Sequence, residues 1–92
     1  MQIELSSKFK INFHIIFEYI AKDKISAARN FKKELFKQID GLVDFPYKYR
    51  KSYYFDDENI RDMTFKGYTV VYEVLTEQET ILILNIFNQN KR

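Results

Sequence analysis

Residues 59–88 read NIRDMTFKGYTVVYEVLTEQETILILNIFN, three strand-like runs joined by two tight polar turns. Strands linked by such short turns must be antiparallel neighbours, because a parallel pair needs a crossover of a dozen or more residues. The first turn is Lys66-Gly67, where glycine accepts the positive φ that two-residue hairpins demand. The second is the polar stretch 76–79. In the middle run Tyr68, Val70, Tyr72 and Val74 share one face, and Thr69, Val71, Glu73 and Leu75 share the other. In the last run Ile81, Ile83, Asn85 and Phe87 alternate with Leu82, Leu84 and Ile86, so both faces are apolar. A strand of that kind is covered on each side. One face is expected to meet helices. The other is expected to form a partly open hydrophobic concavity, and such surfaces usually have a partner.

Two amphipathic helices precede this meander. Residues 2–5 alternate polar and apolar like a short strand, and Ser6 and Ser7 offer N-cap hydroxyls. Phe9, Phe13, Ile16, Phe17 and Ile20 then recur at helical spacing to about Ala21, with Lys10, His14 and Glu18 on the watered side. His14 is the only histidine, and its place between two charged residues marks a solvent face rather than a general base. Asp23 is the natural cap for a second helix, along which Ile25, Ala28, Phe31, Leu35, Ile39 and Leu42 hold an apolar stripe. Arg29, Lys32, Lys33 and Lys37 cover much of the remainder, Gly41 weakens the last turn and Pro46 stops any continuation. With one to three residues between them, the helices must form an αα-hairpin that covers one sheet face. The expected class is α+β: a short N-terminal strand, a helical hairpin, then a three- to four-stranded antiparallel sheet. Residues 1–92 form one domain.

The connector, FPYKYRKSYY over residues 45–54, interleaves Tyr47, Tyr49, Tyr53 and Tyr54 with Lys48, Arg50 and Lys51. Aromatics and cations in alternation can bind single-stranded nucleic acid. They serve equally as a connector whose rings lie on a sheet edge, which is the preferred reading. Asp56, Asp57 and Glu58 follow as an exposed turn; adjacency alone does not make a cation site. Charge is unevenly placed. Residues 1–51 hold 11 basic and 6 acidic groups, residues 52–92 hold 4 and 7, and the net charge is +2. A dedicated nucleic-acid binder shows a stronger excess on one surface. With no cysteine, zinc-thiolate sites and thiol catalysis are excluded. No metal or cofactor is expected. The chain has no apolar run long enough to span a bilayer and no signal-peptide core, so a cytoplasmic location is expected.

The order of elements and several short words resemble the RelE/ParE family of bacterial toxins across nearly the whole chain. Tyr19-Ile20-Ala21 and Ala27-Ala28-x-x-Phe31 match the family's YIA and AA-x-x-F. Leu42-x-x-x-Pro46, followed by Arg50, matches its exit from the second helix. Ile60-Arg61 matches a strand that begins with arginine, and Tyr68-x-Val70-x-Tyr72 matches its Tyr-x-hydrophobic-x-Tyr. The long hairpin looks more like the ParE branch, although Lys24-Ile25 replaces the Asn-Pro that opens the second helix there.

Members of this family are toxic halves of two-gene modules, so the resemblance implies a cognate antitoxin and a toxin–antitoxin hetero-oligomer. It implies two mechanisms. ParE-like members bind DNA gyrase and trap its cleaved-DNA complex without chemistry of their own. RelE-like members cut mRNA on the ribosome. The nuclease needs an activated 2′-hydroxyl, cations around the phosphorane and a proton donor. Thr69 stands where RelE-like enzymes carry an arginine, and the tail from Asn88 to Arg92 has neither tyrosine nor histidine. A substituted nuclease site would draw on Arg61, Lys66 and Gln89. The gyrase reading requires only a complementary surface, with Arg61, Asn88, Gln89, Lys91 and Arg92 as target-binding candidates. An acidic amphipathic antitoxin segment suits Lys32, Lys33 and Lys37 with the apolar Leu82 and Leu84.

Overall fold

The computed structural model describes residues 1–88. Strand β1 (Gln2–Leu5) leads into helices α1 (Ser7–Asp23) and α2 (Ile25–Asp40). A single 3-10 turn (Gly41–Val43) and an irregular connector follow, then β2 (Ile60–Phe65), β3 (Tyr68–Leu75) and β4 (Thr80–Asn88). The sheet order is β1-β4-β3-β2. Its three C-terminal strands form the expected antiparallel meander, while β1 joins β4 in parallel, which makes the sheet mixed. The helical hairpin between β1 and the meander permits this, since it is the long crossover that a parallel pair requires.

Lys24 alone links the two helices. Its N–H donates to Ile20 O at 3.1 Å to finish α1, and its own carbonyl accepts from Ala27 and Ala28 at 3.1 and 3.2 Å to begin α2. The expected cap at Asp23 is therefore corrected: Asp23 is the last residue of α1, and α2 starts without a side-chain cap. One extended residue (φ −158°, ψ 114°) suffices to reverse the chain. Ile25, expected in the buried stripe, lies largely exposed at the bend.

The core forms where the hairpin lies on the sheet. Phe9, Phe31, Leu35, Ile39 and Leu42 meet Met63, Val70, Tyr72, Val74 and Ile83. Aromatic rings knit the hairpin to itself and to the sheet: Phe13 meets Phe36 edge-on at 5.4 Å, and Phe31 meets both Phe65 and Tyr68 at 5.4 Å. The β2–β3 hairpin turns through Lys66 (φ 46°) and Gly67 (φ 84°), two successive positive φ values that match the twist of the flanking strands. Lys66 Nζ reaches back to Glu34 of α2 at 2.7 Å.

The alternation expected along β4 holds only to Ile83. Val71 pairs with Asn85 and Tyr72 with Ile83, so Leu84 has no partner across β3. This bulge inserts one residue and reverses the face of everything after it. Ile86 consequently joins Ile81 and Ile83 in the core, whereas Phe87 turns to the other side.

Candidate functional site

The bulge is fastened by the start of α1. The Ser6 hydroxyl accepts the Phe9 N–H at 3.0 Å as the N-cap and donates to the Leu84 carbonyl at 2.7 Å. Ser6 N–H adds a bond to Ile83 O at 2.9 Å, and Asn12 Nδ2 donates to Asn85 Oδ1 at 2.6 Å. A serine at this position thus satisfies both a helix terminus and a bulge carbonyl. Strand β1 ends at Leu5, opposite Ile83. Beyond that point no strand flanks β4 on this side among the described residues.

A groove of about 1130 Å³ opens alongside that unflanked stretch. Val71, Leu84 and Phe87 contribute from the sheet, Asn12, Ile15 and Tyr19 from α1, and Tyr54 and Phe55 from the connector. Tyr54 packs edge-on against Phe87 at 5.2 Å, which fixes the connector side of the groove. Exposure marks this side of α1 as unusual: in the wall Ile15 is 60% exposed and Tyr19 72%, and Ile11, which does not line the groove, is 62% exposed. These three residues sit at i, i+4 and i+8, so they form a second apolar stripe on α1 beside the buried one. The concavity expected from the two apolar faces of β4 is present, but α1 and the connector build its sides. The Ile11, Ile15, Tyr19 spacing was the available sequence signal for that wall.

The other sheet edge is closed. Ser52 N–H donates to Ile60 O at 2.8 Å, Asp62 N–H donates to Arg50 O at 3.1 Å, and Lys51 bridges Arg61, so the connector lies along β2 as a strap. Tyr49 packs against the core, while Tyr47 and Tyr53 stay exposed on the strap and are held by partners within the chain. Tyr47 donates to Asn59 Oδ1 at 2.7 Å, Tyr49 accepts from Gln38 at 3.0 Å and Tyr53 lies 3.4 Å from the Arg50 guanidinium. The buried carboxylate of Asp62 accepts from Arg50 Nη1 and from Tyr53 N–H, both at 3.1 Å. From the core side, Tyr72 donates to Pro46 O at 2.7 Å. Burial raises the Tyr72 phenol to about 12, since its phenolate would lose its solvation. The acidic cluster is an exposed turn held by its own bonds: Asp57 accepts from Asn59 N–H at 2.8 Å, and Lys51 pairs with Asp56 at 3.1 Å.

Among the described residues, those singled out from the sequence do not converge. Arg61 has a side chain only 17% exposed, donating to Glu58 O at 2.9 Å and Tyr49 O at 3.0 Å beneath the Tyr47 ring. Lys66 stands at the far end of β2, five residues or about 17 Å away at strand rise. It is hydrogen-bonded to Glu34 and thereby holds that carboxyl below its ordinary range. Asn88 ends β4 opposite Tyr68, and Gln89, Lys91 and Arg92 lie outside the described residues. The antitoxin candidates are distributed over separate surfaces. Leu84 lines the large groove, whereas Leu82 does not, although its cross-strand partner Glu73 does. Lys32 borders a smaller cleft of about 340 Å³ between the helices, among Phe13, Phe17 and Phe36 and beside Lys10 and His14. Lys33 and Lys37 border neither the groove nor the cleft.

Comparison with known proteins places this arrangement. The sequence matches the family model described as the ParE toxin of the type II toxin-antitoxin system, parDE, over residues 3–92. The fold is similar to a chain of the chromosomal ParDE TA system from P. aeruginosa, with a TM-score of 0.75. That alignment covers 96% of this chain and 95% of the other at 15% identity, so it speaks for the fold alone. A search of curated proteins gives no match.

Proposed function

Because the chain belongs to the ParE toxin family of type II toxin-antitoxin systems, we propose that it arrests growth by binding DNA gyrase in the cytoplasm and is neutralised by a cognate antitoxin in the large groove. The family match over residues 3–92 carries the gyrase reading. That mechanism requires a stable surface and no catalytic constellation. It is therefore untouched by Thr69 in place of arginine and by the internal contacts that occupy Arg61 and Lys66. The tail from Asn88 to Arg92 supplies the polar, basic candidate contact with the target.

The groove supports the antitoxin reading. An amphipathic segment finds there an apolar wall (Ile15, Tyr19), a sheet floor (Leu84, Phe87) and an unflanked stretch of β4. These are the ingredients of helix-in-groove and strand-addition recognition. Lys8 and Asn12 on the α1 side favour an acidic or polar partner over another apolar one.

Induced alone in bacteria, the protein is expected to stop growth, with rescue by a small neighbouring gene. Purified protein added to gyrase is expected to inhibit supercoiling or accumulate cleaved DNA. Codon-phased mRNA cuts on translating ribosomes, with gyrase unaffected, would replace this reading by the RelE-like nuclease and make Arg61→Ala the variant to test.

A further inference from the structure

Helix α2 carries a row of cations that no part of the proposed function uses. Arg29, Lys33 and Lys37 follow at i, i+4 and i+8, all exposed. Helix geometry places them within an arc of about 80°, about 6 Å apart along the axis. That arc also holds Ser26 and Asp40; Phe36, just outside one edge of it, is packed against Phe9 and Phe13 of α1. The buried stripe of α2 (Ala28, Phe31, Leu35, Ile39) faces away from it. None of the three cations forms an ion pair among the described residues, whereas the acidic Glu34 is already taken by Lys66. The hairpin as a whole, residues 7–40, bears eight basic and four acidic groups.

We propose that this face of α2 binds the phosphate backbone of duplex DNA without regard to sequence. The chemistry of the face selects among polyanions. An acidic amphipathic peptide needs apolar surface to bury, and this sector offers none. A membrane surface needs inserted apolar side chains beside the cations. Single strands are held by stacking on aromatic rings, which are likewise missing from the sector. What remains is a straight, rigid row of charge about 12 Å long. A duplex presents one phosphate per 3.4 Å of each strand, so about three or four phosphates of one strand face the row. Asp40 closes the row at its C-terminal end and opposes the contact. The contact requires no gyrase, so it stands or falls separately from the target proposed above.

The test is fluorescence anisotropy of the purified protein with a 20-base-pair duplex of arbitrary sequence, in the absence of gyrase. Three neutralised phosphates predict a loss of about 40-fold in affinity between 50 and 200 mM salt. The variant Arg29→Gln/Lys33→Gln/Lys37→Gln is expected to bind more than about 10-fold weaker at 50 mM salt, with a salt slope flatter by about 2.7. A variant of equal net charge, Lys22→Gln/Lys24→Gln/Lys48→Gln, is expected to lose less than about threefold if the contact is local. Asp40→Asn is expected to tighten binding, a gain that no loss of folding can imitate. Equal weakening by the two triple variants, no binding at 50 mM salt, or preference for single strands, anionic vesicles or an acidic peptide would overturn the proposal.

Discussion

The two sides of the sheet are treated in opposite ways. Along β2, the connector lies against the strand and is anchored by Asp62, Arg50 and Tyr72. Along β4, the flanking strand β1 stops at Ile83 and the remaining residues border an open apolar groove. Unprotected edges invite pairing with other chains, so a protein that shields one and leaves part of another open concentrates association at a single place. The two regions also differ in what they do with aromatic rings. The strap gives Tyr47, Tyr49 and Tyr53 hydrogen-bond or cation–π partners within the chain, although Tyr53 stays exposed, while Ile15 and Tyr19 of α1 present their exposed apolar surface to the open groove. An open apolar groove beside an unflanked strand and a strap hydrogen-bonded along its strand are the signatures of a binding face and a structural face.

Four experiments sharpen or break this contrast. The largest effect is expected at the strap. Asp62→Ala removes the buried acceptor shared by Arg50 and Tyr53 N–H. It should cost about 3 kcal/mol of stability, read from the urea midpoint. A loss below about 1 kcal/mol would show that the strap does not depend on this carboxylate.

Next is the pH dependence of the same region. The Tyr72 phenol titrates near 12 in the fold against an ordinary value of 10.0, so the native state holds this proton more tightly than the unfolded chain. Its contribution is complete below pH 10 and declines as pH rises from 10 to 12, by about 2–3 kcal/mol in all. Tyr72→Phe should lack that alkaline decline while losing about 1 kcal/mol at neutral pH with the bond to Pro46. Parallel pH–stability curves for the two proteins would refute the assignment.

The open side should respond in the reverse sense. Tyr19→Ala changes an exposed ring, so stability should move by no more than about 0.5 kcal/mol. Antitoxin affinity should fall by about 2 kcal/mol, roughly 30-fold, in a calorimetric titration. Unchanged affinity would take α1 out of the antitoxin seat. The smallest effect concerns the hairpin tip, where Gly67 itself lines neither region. Gly67→Ala imposes a side chain at φ 84° and should cost about 1 kcal/mol in thermal unfolding, with antitoxin binding intact.

The candidate surface was only partly legible in the sequence. Short turns and period-2 alternation already require the meander, since neither leaves room for another connection. The hairpin follows as directly from two stripes at helical spacing with almost nothing between them. The open concavity could be anticipated from the two apolar faces of β4. Its sides could not. They depend on α1 lying beside the β4 bulge and on Tyr54 meeting Phe87, contacts between residues far apart in the chain. Arg61 appeared available because an arginine at the head of a strand gives no sign of which carbonyls lie within reach. Only the path of the connector brings Tyr49 O and Glu58 O to it.

Local chemistry therefore settled the kinds of element, their order and most of the buried residues: Ala28, Phe31, Leu35 and Ile39 on α2, and Val70, Tyr72 and Val74 on β3. These rest on periodicity and turn geometry, which act over a few neighbouring residues. The tertiary structure alone decided the parallel seating of β1, the bulge at Leu84 and which edge is strapped and which is open. Each of these depends on hydrogen bonds and packing between segments distant in the chain. A bulge in particular reverses the face of every later residue, so a pattern of alternating side chains cannot reveal it until the partner strand is in place.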